Sequence, residues 1–489
     1  MNSVYTAKQI QSFEKSLFVS KDEELELMKR AADDSVDWLK EKFPSNNFII
    51  LCGPGNNGGD GYFIGLGLRK LHFKVQFVDT IPETKKSYLC NLAFNKTCNE
   101  EFVTCEDIEK LSIDSVVIDA IFGIGGRINL SKEIRSLLES AKKFKAKIAI
   151  DMPTGLCAAT GKISKACFDA DHTITFIALK LGQLINQDKE FCGKIVLKDL
   201  GLDMTKTIKP TIREFNYKDI KSNLPVRKKN AHKGQHGKLL IVAGDEGYGG
   251  AGILASEAAL KTGAGLVTLL TRESHVSSSL AKNPEVMVSG ADNVQNLDNH
   301  FLCSDVLVCG PGMYENYWSE QLLFKLITFA AKNQTPTLLD AGALRLLSKK
   351  PFANMPLPKD IVLTPHPGEA SSLLGVSTDV IQNDRLRAAK ELNAKFGGIV
   401  VLKGHGTIIC DSKESYLCSS GGPELAVAGS GDVLSGLIGS LMAQGLKPID
   451  AVMAGVALHG SAGESFARSI GAIGLAASEL IPYIRNALN

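Results

Sequence analysis

Short apolar runs closed by glycine, asparagine or aspartate recur along this chain. In the first half they are FIILCG at 48–53, KVQFV at 74–78, SVVIDAIFGIGG at 115–126, KIAIDMPTG at 147–155, HTITFIALK at 172–180 and GKIVLKDLGL at 193–202. Stretches with helical spacing separate them: 5–43, with Leu25, Leu27, Met28, Ala31 and Ala32 in one apolar face, then 62–71 and 132–142. Runs this short and continuously apolar predict buried strands, and strands alternating with helices predict a parallel α/β sheet. Ligands of such sheets bind at the carboxyl ends of the strands, where these Gly and Asp residues fall.

A second α/β series follows: KLLIVAGD at 238–245, LVTLLT at 266–271, SDVLVCGPGM at 304–313, PTLLDAGAL at 336–344, DIVLTPHPGEA at 360–370 and the strand-turn-strand GIVVLKGHGTIIC at 398–410. Between the first two runs lies a helix rich in small residues. VAGSGDVLSG at 427–436 then enters a helix whose Val433, Leu434, Leu437, Ile438, Leu441 and Met442 share one face. Two helices close the chain, near 449–468 and 476–488, the second expected to kink or break at Pro482. The polar, Lys/Arg-rich stretch 203–236 reads as a linker. The expected division is 1–215, a linker and entry segment at 216–236, and 237–489. No internal sequence repeat relates the two series.

Composition narrows the class. The chain has 489 residues, 44% hydrophobic and 22% charged, with a net charge of +2. That is enzyme-like material for more than one domain and gives no reason to expect nucleic acid or an acidic membrane as a partner. The basic run Arg227-Lys228-Lys229 reads as a solvated loop. Eleven cysteines without a CxxC, and an N-terminal stretch without the apolar run of a signal peptide, predict reduced thiols and a cytoplasmic enzyme. No apolar run is long enough to span a membrane.

Two motifs carry chemistry. PGNNGGDG at 54–61 is neither a GxGxxG nor a GxxxxGK[ST] loop. Its glycines give backbone access, and Asn56, Asn57 and Asp60 supply oxygens. Asp119 closes another strand and Asp151 a third, with Thr154 in the turn after it. Each alone is an ordinary turn residue; together at strand ends they form a set suited to a hard cation. In VAGSGDVLSG the glycine turn meets a helix N-terminus, whose free N–H groups and dipole hold anions. Asp432 there is either a plain N-cap or a base acting on a hydroxyl beside a bound phosphoryl group.

GPGNNGGDG, VIDAIFGIGG and IDMPTG resemble the signature segments of the NAD(P)H-hydrate epimerase domain. HKGQHGKLLIVAGDEGYGGAGILASEAALKTGAGLVT, CGPGM, LTPHPGEASSLLG, VLKGHGT and AGSGD resemble the NAD(P)H-hydrate dehydratase domain, a ribokinase-like fold. Their order is that of the bifunctional repair enzymes, and the likeness covers nearly the whole chain. It implies an isomerase and lyase that interconverts the R and S hydrates of NADH and NADPH and dehydrates the S form. The implied phosphate donor is ADP, with ATP the alternative.

Carried over, Asn56, Asn57, Gly58, Gly59 and Asp60 would contact the hydrated cofactor, with Gly123, Ile124, Gly125, Gly126, Arg127, Ile128 and Asn129 along it and Asp151 binding it. Asn57, Asp119 and Thr154 would hold K+; Asp119 or Asp151 would be the epimerase acid–base group. Met152 and Thr154 stand where the family more often has Ile and Ser, and threonine keeps the oxygen. GIGGRIN departs from the commoner form of its segment.

In the second half Ala251, Gly312, His366 and Asp432 would meet the hydrate. Lys403, Gly404, His405, Gly406 and Thr407, with Gly429, Ser430 and Gly431, would bind a nucleotide accompanied by Mg2+, which Glu369 would help place through water. Asp432 would deprotonate the ring hydroxyl, whose oxygen attacks the terminal phosphate. Small molecules are thus the expected ligands, in a homo-oligomer. The competing readings are a ribokinase-like small-molecule kinase with an N-terminal regulatory domain, and an N-terminal half that serves only as a scaffold.

Overall fold

The computed structural model describes residues 1–98, 100–125, 129–185 and 191–489. They divide into two compact units, one comprising residues 2–212 and the other residues 213–489 with Met1.

In the first unit six parallel strands lie in the order Val75–Asp79, Phe48–Cys52, Val116–Ala120, Ala146–Ile150, His172–Phe176, Lys194–Lys198. Alternate residues of the central strands feed two cores. Phe48, Ile50 and Cys52 face one, Ile49 and Leu51 the other, and all five are fully buried. Burial on both faces explains the continuous apolar runs. The chain reverses between Phe48–Cys52 and Val116–Ala120, so the crevice beyond their carboxyl ends is where a doubly wound sheet takes its ligand.

The helical stretch read at 5–43 is two helices, Ala7–Leu17 and Lys21–Lys42. Thr6 with Gln9, and Ser20 with Glu23, each form a capping box, and the second box starts a new helix three residues after the first ends. A second difference concerns the Asn-Gly motif. The helix begins at Asn56, inside the motif, and runs to Lys70. Gly58, Gly61 and Gly65 fall on its sheet side: a Cβ there would lie 1.8 Å from the Gly53 carbonyl oxygen, 2.6 Å from Ala120 Cβ and 2.3 Å from the Phe77 ring. The glycines therefore let this helix settle onto the strands and bring Asn56, Asn57 and Asp60 to their carboxyl ends.

In the second unit the strand order is Met287–Gly290, Leu266–Thr271, Lys238–Val242, Val306–Cys309, Thr337–Leu339, Ile361–Leu363, Ile399–Leu402, then the antiparallel Thr407–Cys410 and Ser415–Cys418. Arg213, Glu214 and Phe215 extend that edge, pairing in parallel with Tyr416, Leu417 and Cys418. Phe215, Ile220 and Leu224 belong to this unit's core. The order reverses between Lys238–Val242 and Val306–Cys309. This is an α/β unit with a mostly parallel sheet, as the alternation of strands and helices predicts, and it agrees with the ribokinase-like fold that the resemblance implies.

The helix entered through VAGSGDVLSG, Ser430–Ala443, is apolar on more than one face: from Val433 to Ala443 every residue is buried. It packs against Gly249–Thr262 so tightly that a Cβ on Gly436 would lie 2.0 Å from the Ala255 carbonyl oxygen. The closing helix Ala477–Leu488 runs through Pro482 unbroken. Among the described residues no helix is long and apolar enough to cross a membrane, and Cys52, Cys309 and Cys410 are buried free thiols.

Candidate functional sites

At the reversal point of the first sheet lies a cavity of about 620 Å³, lined among others by Glu14, Asn56, Asn57, Asp60, Gly123, Asp151 and Lys180. Asp151 follows the strand Ala146–Ile150 in the left-handed region, φ +64°, a strained conformation for a residue with a side chain. Its Oδ2 accepts the Ile124 N–H at 3.0 Å, and its Oδ1 lies 2.5 Å from Lys180 Nζ. Lys180 is 1% exposed. Its ammonium also donates to Thr175 Oγ1 at 2.6 Å and to the Phe176 carbonyl at 2.9 Å, while Gln183 donates to the Asp151 carbonyl at 2.9 Å. A buried ammonium is tolerable only with partners of this kind.

Two carboxyl groups sharing this cavity are held toward the neutral form. Burial, then the Asp151 charge, pushes Asp60 well above the carboxylate range and Glu14 up to about 7. A Cβ on Gly123 would stand 2.8 Å from Asp151 Oδ2 and 3.3 Å from Asn57 Oδ1, so the bare glycine keeps these groups adjacent.

Asp119 is separate from the cavity wall. It is fully buried and accepts from Thr154 Oγ1 at 2.8 Å, Thr154 N–H at 2.7 Å and Ile121 N–H at 3.1 Å. Burial pushes it to about 6 despite these donors. Thr154 Oγ1 also accepts the Phe122 N–H at 3.2 Å. Both polar atoms of the Asn57 amide are buried without a hydrogen-bond partner. An orphaned buried amide is unusual, and its oxygen, like the Asp119 carboxylate and the Thr154 hydroxyl, is of the donor type that hard cations take. Asn56 Oδ1 accepts from Ser87 Oγ at 2.7 Å, and Gly58 and Gly59 lie in the helix's first turn. Gly125 and Asn129 are exposed, and Gly126, Arg127 and Ile128 lie outside the described residues.

The second unit assembles its groups at strand carboxyl ends. Gly310, Pro311 and Gly312 follow Val306–Cys309; the Pro311 and Gly312 carbonyls accept from Gly244 and Asp245 at 2.9 Å each. Gly312 has φ +63°, and a Cβ there would be 2.7 Å from that of Ala251. Asp340 follows Thr337–Leu339 and is 1% exposed. Its Oδ1 accepts from Lys403 Nζ at 2.7 Å and its Oδ2 from Ser435 Oγ at 2.7 Å. Burial alone would raise Asp340, but Lys403 and Ser435 hold it below the usual range. Burial likewise opposes the charge on Lys403, and Asp340 and Glu369 overcome it, raising Lys403.

Asp432 sits in the first turn of Ser430–Ala443. Burial, then the Asp340 charge, pushes it from 3.8 up to about 7. That places a carboxyl group at the pH where it can both take and hold a proton, beside a helix N-terminus. Gly429, at φ +87°, turns the chain into the helix, and a Cβ on Gly431 would lie 3.5 Å from Lys403 Nζ. Ser430 Oγ lies 3.1 Å from His459 Nε2.

His366 caps the helix Pro367–Leu374. Its Nδ1 accepts the N–H groups of Gly368 at 3.0 Å and Glu369 at 3.3 Å, which leaves Nε2 as the donor, 3.2 Å from Glu369 Oε1. The turn Lys403, Gly404, His405, Gly406, Thr407 is held from beneath by Arg385. This residue is 1% exposed and donates to the Leu402 carbonyl at 3.3 Å and to the His405 carbonyl. Burial lowers it to about 10.

Glu14, Lys180, Gln183, Asp340, Ser435 and Arg385 escape motif reading. For Asp340 a signal was present, because PTLLDAG is another apolar run closed by aspartate. For Lys180 it was the lysine ending HTITFIALK. Glu14 and Arg385 lie on helices whose pattern marks them as solvent-facing.

Comparison with known proteins adds an independent line. The family profile described as NAD(P)H-hydrate dehydratase matches residues 239–486, and that described as YjeF-related protein N-terminus matches residues 24–182. The bifunctional NAD(P)H-hydrate repair enzyme Nnr of Escherichia coli (strain K12) is 36% identical over 95% of this chain and 89% of its own. The protein of the same name from Coxiella burnetii is 34% identical over 100% of both chains. Among solved structures, a ribokinase-like superfamily protein of Enterococcus faecalis is 28% identical, with a TM-score of 0.53, over 57% of this chain and 95% of its own. The ADP/ATP-dependent NAD(P)H-hydrate dehydratase of Bacillus subtilis, co-crystallised with ATP/Mg2+, is 29% identical, with a TM-score of 0.50, over 56% and 97%.

Proposed function

We infer the two activities and their residues from the premise that this chain belongs to the family of bifunctional NAD(P)H-hydrate repair enzymes. The first unit, residues 2–212, epimerises the R and S hydrates of NADH and NADPH, and the second, residues 213–489, dehydrates the S form using ADP or ATP. The observation that carries this reading is that one chain has two separate strand-end sites, each with its own carboxylate: Asp151 in the cavity of the first unit and Asp432 at the helix N-terminus of the second.

In the first site Asp151, not Asp119, is the acid–base group. It borders the cavity, whereas Asp119 does not line it and is bonded to Thr154 and the Ile121 N–H. Asn56, Asp60 and the 123–129 segment bind the hydrate. Asn57, Asp119 and Thr154 would hold K+, which when bound would supply positive charge near the cofactor.

In the second site Asp432 takes the proton of the ring hydroxyl. The oxygen attacks the terminal phosphate of the nucleotide, and the N–H groups at Gly429, Ser430 and Gly431 stabilise the developing charge. Lys403 neutralises phosphate, and the turn from Gly404 to Thr407 gives its backbone to the nucleotide. Inorganic phosphate then leaves C6, pushed by the ring nitrogen, the C5 proton is lost and the C5–C6 double bond returns. Asp340, Glu369 and Asp432 surround one ammonium, an excess of carboxylate that suits a nucleotide carrying Mg2+ better than a bare one. When bound, Mg2+ would neutralise phosphate charge. Ala251, Gly312 and His366 border the hydrate. A cytoplasmic homo-oligomer completes the reading.

Separation of function tests it. Asp151→Asn keeps dehydration of pure S hydrate and loses conversion of R; Asp432→Asn does the reverse. Loss of both activities in either variant with the fold intact overturns the two-site assignment.

A further inference from the structure

Lys180 is a charged side chain at 1% exposure, next to a cavity it was not selected for by any motif. Burying an ammonium is unfavourable unless it is paired and hydrogen-bonded. Here its three contacts are Asp151 Oδ1 at 2.5 Å, Thr175 Oγ1 at 2.6 Å and the Phe176 carbonyl at 2.9 Å. Thr175 is itself bonded by Gln183, which also donates to the Asp151 carbonyl and accepts the Lys180 N–H at 2.9 Å. The result is a closed set of contacts around one carboxylate. It leaves Asp151 with one oxygen on the ammonium and the other on the Ile124 N–H, at the start of the segment bordering the cavity. The positive φ of Asp151 is the conformation that this set stabilises.

We propose that Lys180 is a positioning residue for the epimerisation: its ammonium pairs with the Asp151 carboxylate and orients it toward the hydrate. The proposal rests on the reading of Asp151 as the acid–base group. Epimerisation at C6 has a simple balance. The C6 hydroxyl is protonated and leaves as water while the N1 lone pair forms C6=N1+. Water then adds to the other face of C6 and gives up a proton, so atoms and protons return to their starting count. A proton is thus given to the leaving hydroxyl and taken back from the incoming water.

The groups facing Asp151 divide in that sense. Lys180 is ion-paired with it from behind; Asp60 on the helix Asn56–Lys70 and Glu14 on Ala7–Leu17 are held toward the neutral form by burial and by the Asp151 charge. Environments that drive neighbouring carboxyls apart are how acid and base roles are distributed. Without Lys180, three carboxyls would share the cavity and Asp151 Oδ1 would lose its buried cationic partner.

The test uses the full chain, with dehydration of pure S hydrate as the internal control for folding. Lys180→Met is expected to lower epimerase kcat at neutral pH about a hundredfold and to leave KM within about threefold. The acid limb of its pH–rate profile should move upward, because the cation paired with the Asp151 carboxylate is gone. Lys180→Arg, which keeps the charge, should recover at least about a tenth of the parent rate and the parent limb.

If Asp151→Asn is inactive while Lys180→Met keeps the parent rate and limb, the role of Lys180 is refuted and that of Asp151 stands. If Asp151→Asn remains active, the underlying reading falls. If Lys180→Met loses rate with no movement of the limb, and Lys180→Arg is equally impaired, the lysine is structural only and the proposal is overturned.

Discussion

Asp432→Asn should make the second unit more stable and catalytically inert at the same time. The corner holds Asp340, Glu369 and Asp432 around the single ammonium of Lys403, and burial with the Asp340 charge lifts Asp432 from 3.8 to about 7. One pKa unit is ~1.4 kcal/mol, so ionising Asp432 in the folded chain costs about 4 kcal/mol. Below pH ~4 both states hold the proton and the group contributes nothing. As pH rises through about 4 to 7 the unfolded chain releases its proton first, and folding stability falls. Above about 7 the whole penalty stands.

Asparagine carries none of that penalty. It gives up the carboxylate's interaction with the helix N-terminus, worth ~0.5–1 kcal/mol. A net gain of ~3 kcal/mol corresponds to a rise in the unfolding midpoint of roughly 5–10 °C at pH 8, shrinking toward zero near pH 4. Thermal unfolding across that range measures it. The same protein, assayed for regained reduced-nicotinamide absorbance from S hydrate, should run at least about a hundredfold slower. A lower midpoint at pH 8, or more than about a tenth of the parent rate, would refute the reasoning.

Gly123→Ala puts a methyl 2.8 Å from Asp151 Oδ2 and 3.3 Å from Asn57 Oδ1; epimerisation should fall at least about tenfold with dehydration of S hydrate unchanged, as a coupled assay on each hydrate would read. Exchanging potassium for tetramethylammonium should slow epimerisation by ~tenfold or more and be reversed by potassium if the proposed ion site at the orphaned Asn57 amide is correct. Arg385→Met removes the donor to the Leu402 and His405 carbonyls; stability should drop by ~2–4 kcal/mol and nucleotide KM rise about tenfold, measured by denaturant titration and steady-state rates.

Much of the fold is legible in the residues because its sheets are buried on both faces. Strands such as Phe48–Cys52 and Val116–Ala120 become unbroken apolar runs, and their ends are marked by Gly and Asp. Helix bounds are less legible. The break after Leu17 depends on capping by Ser20, and the start at Asn56 on glycine contacts with strands far along the chain. The helix Ser430–Ala443 looks one-sided in sequence, yet its small residues Gly436, Gly439 and Ser440 are buried too, because neighbouring elements approach closely.

The same limit applies to the sites. Gly and Asp at strand ends stand out, but their ion-pair partners do not: Lys180 for Asp151 and Asp340 for Lys403 are 29 and 63 positions away, joined only by the sheet. Glu14 looks like a solvated helix residue until the cavity beside it is seen.

The central claim is that one chain both interconverts the hydrates and restores the reduced cofactor. The direct measurement is recovery of reduced-nicotinamide absorbance from an equal mixture of R and S hydrates, with Mg2+, K+ and either ADP or ATP, corrected for uncatalysed epimerisation. The account predicts full recovery with one phosphate released per cofactor and no phosphate ester accumulating. Recovery that stops at the S half contradicts the epimerase; a stable phosphate ester without recovery makes the second unit a kinase and contradicts the account.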